Sequence, residues 1–465
     1  MPYFQYRTLD ELRDAVAALD VDLPVTDDLS ALAAGVRIGP LTASNRMAVH
    51  PMEGCDGNLD GTPGELTFRR WRRFAEGGAA LLWGEATAVA PDARANPRQL
   101  LISPDTAPEL KRLLDATRAA HRARFGSTDG FIVGVQLTHS GRWSHPAPII
   151  VQHGAAIDAL KGCERAPLLS DADLERLEDR FADAAALAAK IGFDFIDIKQ
   201  CHTYLLNELL GAYTRDGAYG GDYEHRTRFV RNVFAKIRAR LGDAIILATR
   251  MNVFDSLPYV AAADGFGVPA PHEVPYRNAW GTDPHDPSRP LLDEPLRLIG
   301  DLRAHGLAMV NVSMGSPYYN PHIGRPFEKP PVDGYTPPEH PLRGVERHMR
   351  LTAAVQRAYP DLPVVGTGYS WLRHYALNTG AANITSSAVS MVGLGRGALA
   401  YPDFAADALE RGAMERDKSC VGVSYCTALM RAKHNDLGQY ATGCVPRDRL
   451  YAAALKDANR TEGWR

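Results

Sequence analysis

Six cysteines in 465 residues, at positions 55, 163, 201, 420, 426 and 444, are too few and too scattered for a disulfide framework. The N-terminal stretch MPYFQYRTLDELRDA lacks the charged-then-apolar pattern of a secretion leader. Both absences fit a reduced, cytoplasmic setting. No apolar run nears the ~20 residues that a bilayer span needs, so no membrane contact is expected. Neither sign of charge dominates. Lys and Arg number 52 against 55 Asp and Glu, a net charge of −3, which argues against a general nucleic-acid binder or a polybasic membrane surface. What is present is 45% hydrophobic and 23% charged residues, enough for a large packed core.

Along the chain, short apolar runs alternate with helical patterns. Eight runs read as strands: 46–51, 79–87, 131–139, 194–201, 245–252, 309–313, 363–368 and 389–393. Helical spacing fills most intervals, at 170–191, 223–241, 291–305 and 344–359. Alternating β and α elements predict a parallel sheet, and eight repeats predict closure into an α/β (β/α)8 barrel; an open doubly wound sheet is the competing outcome. Residues 1–40 read as an N-terminal extension that packs outside the barrel or closes its bottom. The barrel itself occupies 41–410, and 411–465 read as a short C-terminal extension. Two long connections, 253–290 and 314–343, follow the fifth and sixth strands. Loops of that length are usually lids or binding loops.

A barrel keeps its chemistry at the C-terminal ends of its strands. The fourth strand runs into Lys199, His202 and Tyr204, three groups able to donate a proton or a hydrogen bond to an oxygen; a surface lysine and two core-satisfied rings are the plain alternative. The first strand ends in PMEGCDG, with Pro51, Met52 and Glu53. The second carries Ala86 in GEATAV. Gln136 and Arg250 end the third and fifth. An amide and a guanidinium there could hold a planar heterocycle, or serve only as structural hydrogen-bonders. The last two strands end in GTGYS and GLGRGAL. Gly366, Gly368, Gly395 and Arg396 suit a phosphate, through close backbone approach and a bidentate charge. Each motif alone is also compatible with a tight turn.

Taken together, HTYLLNELL, YTRDGAYGGDYEHRTRF, VGVQLTHSGR, PMEGCDG, DGTP, GEATAV, VVGTGYS and MVGLGRGALAYPDF resemble the old yellow enzyme family of flavin oxidoreductases. The likeness spans residues 35–410 and is nearest to the 2,4-dienoyl-CoA reductase-like and trimethylamine dehydrogenase-like branch. It implies an FMN-bearing barrel that takes hydride from NADH or NADPH and passes it to an activated alkene. On that likeness Pro51, Met52, Glu53 and Ala86 line the flavin, and Gln136 and Arg250 bind its pyrimidine edge. Gly366, Gly368, Gly395 and Arg396 hold its phosphate. Lys199 and His202 bind the substrate oxygen, and Tyr204 is the proton donor. The partners implied are a small-molecule substrate and an electron donor, soluble nicotinamide or a protein; related proteins often form homo-oligomers.

Three departures from the family pattern stand out. Lys199 replaces the usual His or Asn, which suits an enolate-like, phenolate or carboxylate substrate. Glu53 stands where relatives often carry Cys or Thr. Larger relatives bind an iron–sulfur cluster through C-x2-C-x3-C and a distant fourth cysteine. Here CVGVSYC and Cys444 leave Val423 and Thr427 at ligand positions, so neither a cluster nor another metal is expected. Two rival readings remain at this level. One is a flavin dehydrogenase running in reverse on an amine, alcohol or C–H substrate, with Tyr318, Tyr319 and Trp280 as a cage for a cation. The other is a barrel without cofactor that serves as a scaffold.

Overall fold

The computed structural model describes residues 3–331, 334–434 and 438–462. Eight parallel strands close into a barrel: β1 (Met47–Val49), β2 (Leu81–Ala88), β3 (Ile132–Thr138), β4 (Phe195–Ile198), β5 (Ile246–Asn252), β6 (Leu307–Ser313), β7 (Val364–Gly366) and β8 (Met391–Leu394). Each strand pairs with the next, and β8 returns to β1 through Val392 opposite Met47. The strands are short and buried on both faces, which is why they read as continuous apolar runs rather than alternating ones.

Helices between the strands form the outer layer. The longest, Asp171–Ile191, starts at Ser170, whose side chain caps the Asp173 N–H while Asp173 bonds back to the Ser170 N–H. Such a box is worth about 1 kcal/mol. It stops at Gly192, in the left-handed conformation that favours glycine.

The barrel floor is a second apolar cluster. Ile38 and Ala43 come from an N-terminal hairpin, Val36–Ile38 with Leu41–Ala43. They pack under Leu81, Trp83, Phe195, Ile246, Met309 and Met391 at the beginnings of the strands. Trp83 and Phe195 meet edge to face with centroids 4.8 Å apart. Gly134 makes room for this pair, since a Cβ there would lie 2.3 Å from the Phe195 ring. With the floor filled, only the opposite face of the barrel can hold a ligand.

That face is more covered than the sequence suggests. The 253–290 segment is not structureless, because it folds a hairpin of its own, Tyr259–Ala261 with Gly267–Pro269. The C-terminal stretch crosses the rim instead of trailing away from it. Thr442 N–H donates to Gly54 O at 2.6 Å, in the loop after β1. Arg431 donates to Pro317 O at 2.8 Å, in the loop after β6. Asp448 accepts from Arg69 and Arg73 at 2.7 and 3.1 Å. Among the described residues no helix is long and apolar enough to cross a membrane.

Candidate active site

The turn after β4 builds one wall. His202 and Thr203 both have positive φ, 64° and 56°. For non-glycine residues this costs about 1–2 kcal/mol each. The turn is held by Thr203 N–H donating to Asn207 Oδ1 at 2.7 Å, and by the Thr203 and Ser316 hydroxyls 3.0 Å apart. Its effect is to bring three side chains to the rim within six positions. Lys199 Nζ lies 3.4 Å from the centre of the Tyr204 ring. His202 Nε2 is 3.2 Å from Ser313 Oγ at the end of β6. The Tyr204 hydroxyl is 2.9 Å from that of Tyr318.

The loop after β1 forms the facing wall. Arg70 clamps it by pairing with Asp56 at 2.7 Å and Glu85 at 2.8 Å while donating to Met52 O at 3.0 Å. Glu53 turns to Asn96, whose side-chain amide donates to its carboxylate. Burial pushes the Glu53 carboxyl up to about 7, against the pull of nearby Lys199. Burial likewise brings Lys199 down to about 8, with Cys201 and Glu53 opposing. A carboxyl and an amine with ordinary values six units apart are thus drawn nearly together. The Tyr204 phenol moves the other way, well above 10, through burial and the neighbouring Tyr318 and Glu53.

Between these walls are buried donors with no acceptor among the described residues: Arg250 Nε near the end of β5, Arg396 Nη1 after β8 and Arg325 Nη2 after β6. Burial, with Arg396 and Arg431 close by, lowers Arg325 to about 9. Orphaned donors and crowded positive charge are costly unless an anion or a carbonyl edge completes them. A flavin ring and its phosphate tail supply both, so these residues fit FMN. Gln136 stands beside Arg250, its amide donating to the buried Asp197 at 2.6 Å while Asp197 also accepts from Arg250 N–H at 2.7 Å. Ala86 pairs with Gln136 across β2 and β3.

Met52 and Gly395 come together where β1 meets β8, and a Cβ on Gly395 would lie 2.9 Å from the Met52 sulfur. Gly368 has φ +93° and sits against the His348 ring. Packing and backbone conformation ask for glycine at 368, whereas at 395 only the flexible Met52 side chain would have to move. Gly366 ends β7 in register with Val392, and Pro51 is buried behind β1.

The tyrosine pair is split. Tyr318 joins the site, stacked on Trp143 with centroids 3.9 Å apart. Tyr319 is fully buried behind the turn, beside Asp255 and Tyr276, with its hydroxyl at the Thr203 side chain. Trp280 is also fully buried, against Tyr223 and 5.7 Å from the Arg226 guanidinium. Among the described residues these three rings do not build one cage. Nor, among those residues, is any group of three or more His, Cys, Asp or Glu side chains placed to hold a metal ion. Sequence reasoning missed Asn96, Trp143, Arg325 and Arg431. Asn96 and Arg325 lie in loops, and Trp143 and Arg431 end the short helical segments Gly141–Trp143 and Tyr425–Arg431, too brief for periodicity to mark which side chain turns inward.

Residues 32–261 match the profile of the NADH:flavin oxidoreductase / NADH oxidase family. An NADPH dehydrogenase of Geobacillus thermodenitrificans is 31% identical over 245 residues, 49% of this chain and 68% of that one. The chain belongs to this family. FMN with NAD(P)H as electron donor is accordingly its cofactor system. Two solved structures share this barrel. One is a 2-naphthoyl-CoA reductase in complex with 2-naphthoyl-CoA, with TM-score 0.66 and 16% identity over 92% of this chain and 58% of that one. The other is the old yellow enzyme homologue from Zymomonas mobilis, with TM-score 0.58 and 19% identity over 83% and 94%. Matches to the first three curated relatives span between 56% and 68% of their lengths.

Proposed function

We propose that this protein is an FMN-dependent, NAD(P)H-driven reductase of an activated carbon–carbon double bond in an enone or enoyl-type substrate. FMN, when bound, supplies two-electron hydride chemistry between the nicotinamide and the alkene. The chain's own residues do the rest. Lys199 and His202 hold and polarise the carbonyl oxygen conjugated to the alkene. Charge that develops on that oxygen is met by donors already in place, which is where most of the acceleration in such a site originates. Tyr204 protonates the α-carbon.

The observation that carries this reading is the grouping of Lys199, His202 and Tyr204 on one strained turn at the end of β4. Burial keeps the Tyr204 phenol protonated at neutral pH, the state a proton donor starts from, and Lys199 over its ring face offsets the charge left when the proton departs. Oxidation of a cationic amine is the weaker reading. It sets the substrate's charge against Lys199, and the cage it needs is not assembled.

The test follows both halves of the cycle in protein reconstituted with FMN. NADH or NADPH should bleach the flavin under anaerobic conditions, and 2-cyclohexen-1-one should restore its colour with formation of cyclohexanone. Reduction by an amine donor, with no response to the enone, would reject the reading.

A further inference from the structure

Taking the ene-reductase reading as its basis, we infer that Tyr318 is a second member of the proton-transfer machinery, handing a proton from solvent to Tyr204 through the contact between the two phenols. Tyr204 is 3% exposed, so it has little direct access to bulk water once it has given up its proton. Tyr318 is only partly buried, and its hydroxyl is 2.9 Å from that of Tyr204. The Tyr318 ring is held by a closed circuit. It stacks on Trp143 at 3.9 Å and 17°, and Trp143 Nε1 donates to Thr203 Oγ1 at 3.2 Å. Thr203 Oγ1 in turn lies 3.0 Å from Ser316 Oγ, which accepts from Tyr318 N–H at 3.3 Å. The circuit ties the loop after β6 to the turn that carries Tyr204, so the two hydroxyls keep their separation.

The step balances. The Tyr204 O–H bond breaks and its proton forms the new C–H bond at the substrate's α-carbon, leaving the electron pair on Tyr204 oxygen. The Tyr318 O–H bond then breaks to restore Tyr204, and water supplies the proton that restores Tyr318. The charged and titratable groups facing the pair are Lys199 over the Tyr204 ring, Glu53 and Cys55 on the opposite wall, and Arg431 beside Tyr318. Lys199 stabilises the transient phenolate through the ring face. Burial and Glu53 hold both phenols above their usual range, which keeps them loaded with protons at rest.

Tyr318→Phe removes only the oxygen and keeps the stack on Trp143. In steady-state turnover of the holoenzyme with NADPH and 2-cyclohexen-1-one, where Tyr204 must be reloaded in every cycle, it should slow the reaction about tenfold and raise the solvent deuterium isotope effect. The Tyr204→Phe/Tyr318→Phe double variant should be no slower than Tyr204→Phe, because both changes remove one path. With tyrosine labelled at Cζ, NMR of the resting holoenzyme should show the Tyr204 signal shift in Tyr318→Phe. Wild-type rate and isotope effect in Tyr318→Phe overturn the proposal, as do independent, multiplying losses in the double variant. Equal slowing of both half-reactions marks a structural role and also overturns it. If Tyr204→Phe itself has no effect, the ene-reductase reading of Tyr204 fails and the relay fails with it; a null result confined to Tyr318 rejects the relay alone.

Discussion

Lys199 places its ammonium 3.4 Å from the centre of the Tyr204 ring. A cation at this distance stabilises negative charge on the phenol oxygen and leaves donors to spare for a substrate carbonyl. The amine is buried, which lowers it from an ordinary 10.5 to about 8. Below about pH 8 it carries its charge; above, it loses it. The substrate-dependent half-reaction should therefore slow as pH rises through about 8, and Lys199→Met should be slow throughout and lose that limb. A pH series of stopped-flow traces checks both.

The same lysine weighs on stability. Between about 8 and 10.5 the folded chain binds fewer protons here than the unfolded one, so this group's contribution rises with pH across that window. Below it, the buried charge is a full burden. Lys199→Met should stabilise the protein at neutral pH by about 1–3 kcal/mol, seen as a higher urea midpoint, while activity falls. Glu53 behaves oppositely. Its folded value of about 7 lies above the ordinary 4.5, so its contribution is present at low pH and is lost as pH rises through that interval. Glu53→Gln should flatten the stability profile there.

Gly54 is tightly enclosed beside the site. A Cβ would lie 2.2 Å from Arg70 Nη2 and 2.4 Å from Asp56 Oδ2. Gly54→Ala must displace a buried ion triad that holds the whole loop from Met52 to Asp56. We expect a loss of about 3–5 kcal/mol, read from urea or thermal unfolding.

For the cofactor, Arg250 and Arg396 are the informative pair. Each has a buried nitrogen that lacks an acceptor among the described residues. Arg250→Ala and Arg396→Ala should each weaken FMN binding to the apoprotein about tenfold to a hundredfold, corresponding to the ~1.5–3 kcal/mol of a charged hydrogen bond. Quenching of FMN fluorescence on titration measures it. Gln136→Ala should have the smaller effect, since Asp197 already engages its amide.

The barrel was legible because its strands are short, apolar runs set apart by long helices with clear 3.6-residue spacing, as at Asp171–Ile191. Lys199, His202 and Tyr204 were legible because a strand end delivers them. Local order does not say where a loop turns its side chains. Tyr318 and Tyr319 are neighbours in sequence, yet one stacks on Trp143 and the other is buried beside Asp255. Nor can composition show that the chain after residue 411 returns to the rim through Arg431 and Thr442. That return depends on long-range contacts between loops, which carry no periodic signal.

The central claim is that the rim of this barrel holds a flavin that passes electrons from nicotinamide to an alkene. One anaerobic titration addresses it directly. The apoprotein is loaded with FMN, freed of excess, reduced with NADPH or NADH, and then given 2-cyclohexen-1-one. The account predicts a protein that retains its yellow colour, bleaches with one equivalent of either nicotinamide, and recovers its colour as cyclohexanone appears. A protein that stays colourless after reconstitution, or one whose reduced flavin ignores the enone, would contradict it.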